Sequence, residues 1–416
     1  MDYFVYFLIK KWYSFSRIHK FQNIYKMVIA LSTQKYKYFD FSLVFFLFLL
    51  MICSCVTIFS AQKYAQYDEN FFVKQMIWFS LGIVAAMVVF LFDFEQISTV
   101  TPYFYGVGIM LLIGVLIAPE SIAPYRNGAK SWFIVPGLGS LQPSEYMKIF
   151  LIMMLAYITN KHFEKQDRDQ IKQDLVLLLK IAAASLVPIV LILLQNDFGS
   201  SLVMVVITLA VIFLSGINWR IILAILFLII GTIAVLVMIF IHNADLLLNI
   251  FGTYQLNRIY SWLDPFEHGE GIGYQLKQSL LAIGSGMIDG KGFHNSDVYI
   301  PEAHSDFIFT IVAEEFGFLG ASFVVSLYFL IIYRMLGIAL YARSSLFEFY
   351  ICIGMVALFT FHSFQNIGMV SGLVPITGIP LLLMSYGGSS VIASMLGIGL
   401  VLNSSLKKRE YMFSND

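Results

Sequence analysis

Pro301-Glu302-Ala303-His304-Ser305-Asp306 runs directly into Phe307-Ile308-Phe309-Thr310-Ile311-Val312-Ala313-Glu314-Glu315. Four carboxylates and a histidine therefore stand at the mouth of, and then inside, a segment that otherwise reads as membrane-buried helix. An ionisable group at membrane depth costs roughly 2.5 to 3.5 kcal/mol on insertion scales, so such groups persist where they face a cavity, pair, or do chemistry. On a helix, Asp306 and Glu314 would lie about 12 Å apart along the axis, one at the membrane surface and one about two turns down.

The rest of the chain agrees with a membrane reading. Of its 416 residues, 59 % are hydrophobic and 12 % charged, and the mean hydropathy is +0.80; soluble domains carry about 25 % charged residues. The formal net charge is zero, which argues for no nucleic-acid partner. Cys53, Cys55 and Cys352 lie in apolar runs without zinc spacing, so neither a metal nor a disulfide framework is expected from them.

Apolar runs long enough to be candidate spans occur at about 41–61, 72–92, 103–118, 146–159, 175–194, 199–215, 220–241, 307–333, 348–370 and 386–403. The fold class is therefore all-α, a polytopic integral membrane protein with about ten transmembrane helices and one large extracytoplasmic loop. With the N-terminus inside, 18 of the 26 Lys and Arg fall on the cytoplasmic side, as the positive-inside rule requires. The expected division is a basic cytoplasmic segment at 1–40, a membrane domain at 41–406 and a cytoplasmic tail at 407–416. No cleavable signal peptide is evident, and Met27 offers an alternative start to an N-terminal segment that otherwise reads as surface-lying. The loop 242–306 is too long for a simple connector. Its Gln278–Gly286 stretch reads as a short amphipathic helix on the membrane surface.

Five polar clusters fall on the outer side of this topology. Asn127 to Trp132 includes Lys130, and Gln142 to Lys148 places Glu145 and Lys148 at i,i+3 on the first turns of a helix. They form either an interfacial cap with an ion pair or a cationic wall for an anionic headgroup. Asp197 is either the N-cap of the sixth span or part of a site. Gln255 and Arg258 share a helical face in the long loop, where a guanidinium suits pyrophosphate or carboxylate recognition. Asp306 is either a general base, its pKa raised by partial desolvation, or the N-cap of the eighth span; His304 is its rival as base. Finally, Gly372 to Pro380 and Ser385 to Ser390 are so rich in Gly and Pro that irregular backbone at membrane depth is implied, buried or lining a cavity.

These clusters, in this order, resemble the SEDS family (shape, elongation, division and sporulation). The matching strings are Asn127–Lys148, Gln195–Ser201, Ser261–Phe293, Pro301–Gly320 and Gln365–Ser390. Gly378-Ile379-Pro380-Leu381 and the Gly284–Gly292 string look more like the rod-shape branch, RodA, than the division branch, FtsW. The resemblance implies a peptidoglycan glycosyltransferase of the bacterial inner membrane, both termini cytoplasmic, that polymerises lipid II during cell elongation. It would work with a class B penicillin-binding protein and other elongation-complex membrane proteins. It implies Asp306 as the catalytic aspartate and makes Lys130, Glu145, Lys148, Arg258, His304 and Ser385 candidates for substrate binding. Asp197 and the double glutamate Glu314 and Glu315 would be supporting. Arg258, Lys130, Lys148 or a divalent cation, Mg or Mn, would offset charge on the departing pyrophosphate. Two departures stand out: Lys130-Ser131 precedes Trp132 where the family often has arginine before the tryptophan, and Asn196 stands where it often has proline. A lipid II flippase, or a scaffold without catalysis, would also accommodate charged groups within spans.

Overall fold

The computed structural model describes residues 39–64, 70–126, 128–135, 139–164, 171–243, 256–267 and 272–406. The N-terminal segment with Met27, Asn127, part of the basic 160–174 loop, Gln255 and the 407–416 tail lie outside the described residues.

Ten long helices stand where the apolar runs are: α1 Phe41–Ala61, α2 Phe71–Val89, α3 Phe94–Ile117, α4 Pro143–Phe163, α5 Ile171–Leu194, α6 Phe198–Leu214, α7 Trp219–His242, α9 Ile308–Tyr341, α10 Leu346–Val370 and α11 Gly388–Leu406. The shorter α8, Ile272–Ser285, and a helical stretch at 256–263 belong to the long loop. Among the described residues, eight of these helices are long and apolar enough to cross a membrane; α6, with 17 residues, is shorter. α4 falls outside that set because it carries Glu145 and Lys148 in its first turns, both buried in protein.

The starts follow from local chemistry. Asp40, Asn70, Asp197 and Asn218 each accept a backbone N–H of the helix they precede, which satisfies donors that a first turn leaves over. Pro143 opens α4, where a missing N–H costs nothing. Between α3 and α4 a small hairpin pairs β1 Phe133–Val135 with β2 Gly139–Leu141, Phe133 opposite Leu141.

α4, α10 and α11 form the interior. α4 packs on α3, α5, α6, α10 and α11. α11 lies so close to α2 that a methyl group on Gly399 would meet the backbone of Ala86, the close approach that small residues permit between membrane helices. α7 is the opposite case, with no buried residue. Ile221, Ile222 and Ile225 rest on the core at one end, Phe240 meets Tyr260 at the other with ring centroids 5.4 Å apart, and among the described residues the middle is largely exposed.

α9 is broken at Gly317, where φ is +62°. The 286–292 turn wedges into the break: Phe318 N–H donates to Met287 O at 3.0 Å, Lys291 N–H to Glu314 O at 3.0 Å and Gly292 N–H to Glu315 O at 2.9 Å. Backbone groups freed by the break are thereby paired within protein, the condition for irregular backbone at this depth. α8 departs from the surface-lying helix expected of it. Leu276, Ser279 and Ala282 are buried, and the Ser279 hydroxyl pairs with Thr310 Oγ1 and Val370 O, each at 2.8 Å. A hydroxyl with two protein partners, followed by small residues that let the backbone close on α9, favours docking over lying in lipid.

Candidate active site

Residues 301–307 form a run of turns before α9. Asp306 is next to last in this run, but its carboxylate does not cap the helix: the N-cap is Phe307, without a side-chain bond. The structural role that the sequence left open for Asp306 is therefore not the one it plays. Ser305 Oγ donates to Asp306 Oδ1 at 3.0 Å. A Cβ on Gly378 would lie 3.3 Å from Asp306 Oδ2 and 3.9 Å from Arg258 Nη2, so both groups reach the bare face of that glycine, itself at φ +70°. Arg258 Nη1 donates to Thr377 O at 3.2 Å. Burial pushes the Asp306 carboxyl up to about 7; Glu302 and Asp197 add to the rise, while the Ser305 hydrogen bond and Arg258 oppose it. A carboxylate that titrates near neutrality suits a general base.

Glu302 lies in the left-handed region at φ +57°, and burial raises its pKa as well. Its Oε2 is 3.7 Å from His304 Nε2. The His304 ring stacks on Phe71 at 4.2 Å. His304 is buried, which places it behind the turn as a packed neighbour of Glu302.

Asp197 caps α6 through Ser200 N–H at 3.0 Å and Ser200 Oγ at 2.8 Å, and also accepts from Gln142 Nε2 at 3.1 Å. The first turn of α6 faces the same wall as Asp306, because a Cβ on Gly199 would meet Thr377 O and Ile379 at 3.1 Å. Glu145 and Lys148 form the i,i+3 pair at 2.9 Å, but they are not interfacial: Lys148 is 2 % exposed and Glu145 4 %. Lys148 Nζ also reaches His362 Nε2 at 3.3 Å, and His362 Nδ1 lies 2.9 Å from Pro380 O. A carbonyl only accepts, so Nδ1 carries the proton and Nε2 receives the lysine.

Other candidates sit apart from Asp306 or serve the scaffold. Lys130 Nζ donates to Leu116 O at 3.1 Å and Ala118 O at 2.6 Å, where it closes the C-terminal end of α3, a favourable place for a cation. Ser385 Oγ accepts from Leu381 N–H at 2.8 Å, which fixes a turn in the wall. Glu314 Oε1 accepts from Lys291 Nζ at 2.7 Å and from the N–H groups of Asp297 and Val298 at 3.0 and 3.3 Å. Glu315 is held by the hydroxyl of Ser60. Burial alone would lower the Lys291 pKa, but bonds to Glu314 and Asp297 outweigh it and the net shift is upward.

The sequence reading did not single out His362 and Asn366. They stand at i,i+4 on one face of α10, and both are buried. Two polar residues a turn apart inside an apolar span were the available signal.

A family model described as "Cell cycle protein", FTSW_RODA_SPOVE, matches residues 35–410. The chain is 34 % identical over 359 residues to "Probable peptidoglycan glycosyltransferase FtsW" of Coxiella burnetii, over 85 % of this chain and 91 % of that protein. It is 32 % identical over 368 residues to "Peptidoglycan glycosyltransferase MrdB" of Escherichia coli K12, over 88 % and 92 %. Among solved structures it matches, with TM-score 0.72 and 27 % identity over 89 % of this chain and 99 % of the other, a chain described under "Structural coordination of polymerization and crosslinking by a peptidoglycan synthase complex".

Proposed function

Because this chain belongs to the FtsW/RodA/SpoVE family of cell cycle proteins, we propose that it is a peptidoglycan glycosyltransferase that polymerises lipid II with Asp306 as general base. The glycan's anomeric carbon leaves its undecaprenyl pyrophosphate and bonds to the 4-oxygen of an acceptor lipid II. Asp306 takes the proton of that hydroxyl, and the pyrophosphate leaves as an anion. Arg258, on the same face of Gly378 as Asp306, offsets charge on the departing group. The observation that carries this reading is the Asp306 carboxylate: uncommitted to its helix, held near neutrality and sharing the bare face of Gly378 with a guanidinium.

No step is routed through Mg or Mn. Among the described residues no three His, Cys, Asp or Glu converge on a metal position, and the oxygens of Asp197 are already engaged. A resident metal cage does not fit these residues. A penicillin-binding protein is the expected partner, supported by the likeness to a chain of a synthase complex; a class B transpeptidase, with other elongation-complex membrane proteins, is the finer reading. Service in elongation rather than division rests on the Gly378–Leu381 and Gly284–Gly292 strings. Placement in a bacterial inner membrane with both termini cytoplasmic rests on the distribution of Lys and Arg.

The deciding experiment is polymerisation of labelled lipid II in detergent, where sidedness is absent, by protein purified alone and with a penicillin-binding partner. Glycan chains that vanish with Asp306→Asn are expected. Lipid II binding without polymer in both preparations would leave a flippase or a scaffold.

A further inference from the structure

We propose that Asn366 is a positioning residue for glycosyl transfer, clamping the Asp306 turn to the Thr377–Pro380 wall so that carboxylate and guanidinium meet in fixed geometry. The inference rests on Asp306 being the base. Asn366 is fully buried in α10. Its Nδ2 donates to two carbonyls from different parts of the chain, Asp306 O at 2.8 Å and Ile379 O at 2.8 Å. The amide orientation follows from its neighbours, because an oxygen in that place would face two carbonyl oxygens. One nitrogen thus uses both hydrogens to join the catalytic turn to the wall.

The wall segment carries the other half of the site. Thr377 O receives Arg258, and Gly378 is the surface against which Asp306 and Arg258 both lie. α10 grips this segment at three points. Gln365 Nε2 donates to Pro375 O at 3.1 Å, Asn366 to Ile379 O, and His362 to Pro380 O. A Gly- and Pro-rich segment forms no ladder of its own, so its buried carbonyls need side-chain donors. The side-chain hydrogen bonds of His362 and Gln365 run to the wall and its Lys148 support, whereas that of Asn366 also reaches Asp306. Loss of its bridge would free the turn from the wall without removing a group that meets substrate. Misplacement of about 1 Å can cost around a hundredfold in rate.

The test uses full-length protein, with Asn366→Ser keeping one donor and Asn366→Asp keeping the shape. Yield, size-exclusion profile and melting in detergent report the fold; kcat, KM and the pH dependence of kcat for lipid II polymerisation report the site. The expected result is a kcat lower by about tenfold or more with KM within about threefold, in folded protein. In Asn366→Ser the pH limb that follows Asp306 should also move toward lower pH as its carboxylate gains water, with Glu302, Arg258 and Asp197 unchanged around it; in Asn366→Asp the new carboxylate beside the turn opposes that shift. Parental kcat in folded protein would overturn the proposal. So would loss of the fold in both variants, or a loss carried by KM with the pH limb of Asn366→Ser unmoved. Asp306→Asn is run beside them: if it polymerises at more than about a tenth of the parental rate, the general-base reading fails, whatever Asn366 does.

Discussion

Asp306 shows burial acting in two directions. Its carboxyl rises from 3.8 to about 7 in the fold, so the folded protein binds a proton there that the unfolded chain releases. Stability from this group is full below about pH 4 and is lost as pH rises through about 7. On the proposed general-base role activity runs the other way, because only the ionised form accepts a proton, so kcat should climb through the same window. Asp306→Asn should therefore lower polymerisation by at least about a hundredfold while melting at pH 8 stays at or above the parental temperature. A fall in melting at that pH would show that the carboxylate is structural. This residue was legible because a carboxylate at the mouth of an apolar run is conspicuous. Lys130 was legible as a charge but not as a cap: its partners, Leu116 and Ala118, are carbonyls, which every residue carries. Asn366 was hidden for a similar reason, since both its acceptors are backbone atoms of segments that only the fold brings together.

At the scale of elements, the break in α9 is the feature that hydropathy could not reveal. The apolar pattern resumes straight through Gly317 after Glu314 and Glu315, and the turn that fills the break comes from the long loop before it. The irregular backbone of 371–387, by contrast, was announced by its glycines and prolines. Gly290, at φ +78°, has backbone of Glu315 and Gly317 where a Cβ would stand. Gly290→Ala should cost about 1–3 kcal/mol or more from overpacking and strain, read as a lower melting temperature; an unchanged melt would mean that the wedge is loose. Glu314→Gln keeps an oxygen for the Asp297 and Val298 N–H groups but drops one of the two charge partners of Lys291, leaving Asp297. Its polymerisation should fall less than that of Asp306→Asn. Equal loss would give the glutamate a part in the chemistry.

For the molecule as a whole, the positions of the ten helices followed from apolar runs, because membrane-length segments carry their own signal. Their packing did not, since α10 and α7 are both long apolar helices, yet one is buried along its length and the other has no buried residue. Sidedness is testable at Asn295, which is exposed on the long loop. A single cysteine there, in a background without Cys53, Cys55 and Cys352, should react with an impermeant maleimide in intact cells; labelling only after lysis would reverse the orientation. The last consequence concerns α7, held at its two ends and largely exposed between them. A helix with so few neighbours among the described residues takes much of its tilt from the surrounding lipid. Tyr260, which Phe240 touches, is on the same short helix as Arg258. Acyl-chain length thus becomes a variable of the reaction: turnover in bilayers of graded thickness should pass through an optimum. Truncating Phe240 to Ala should flatten that dependence, as if the enzyme had lost its gauge of the membrane.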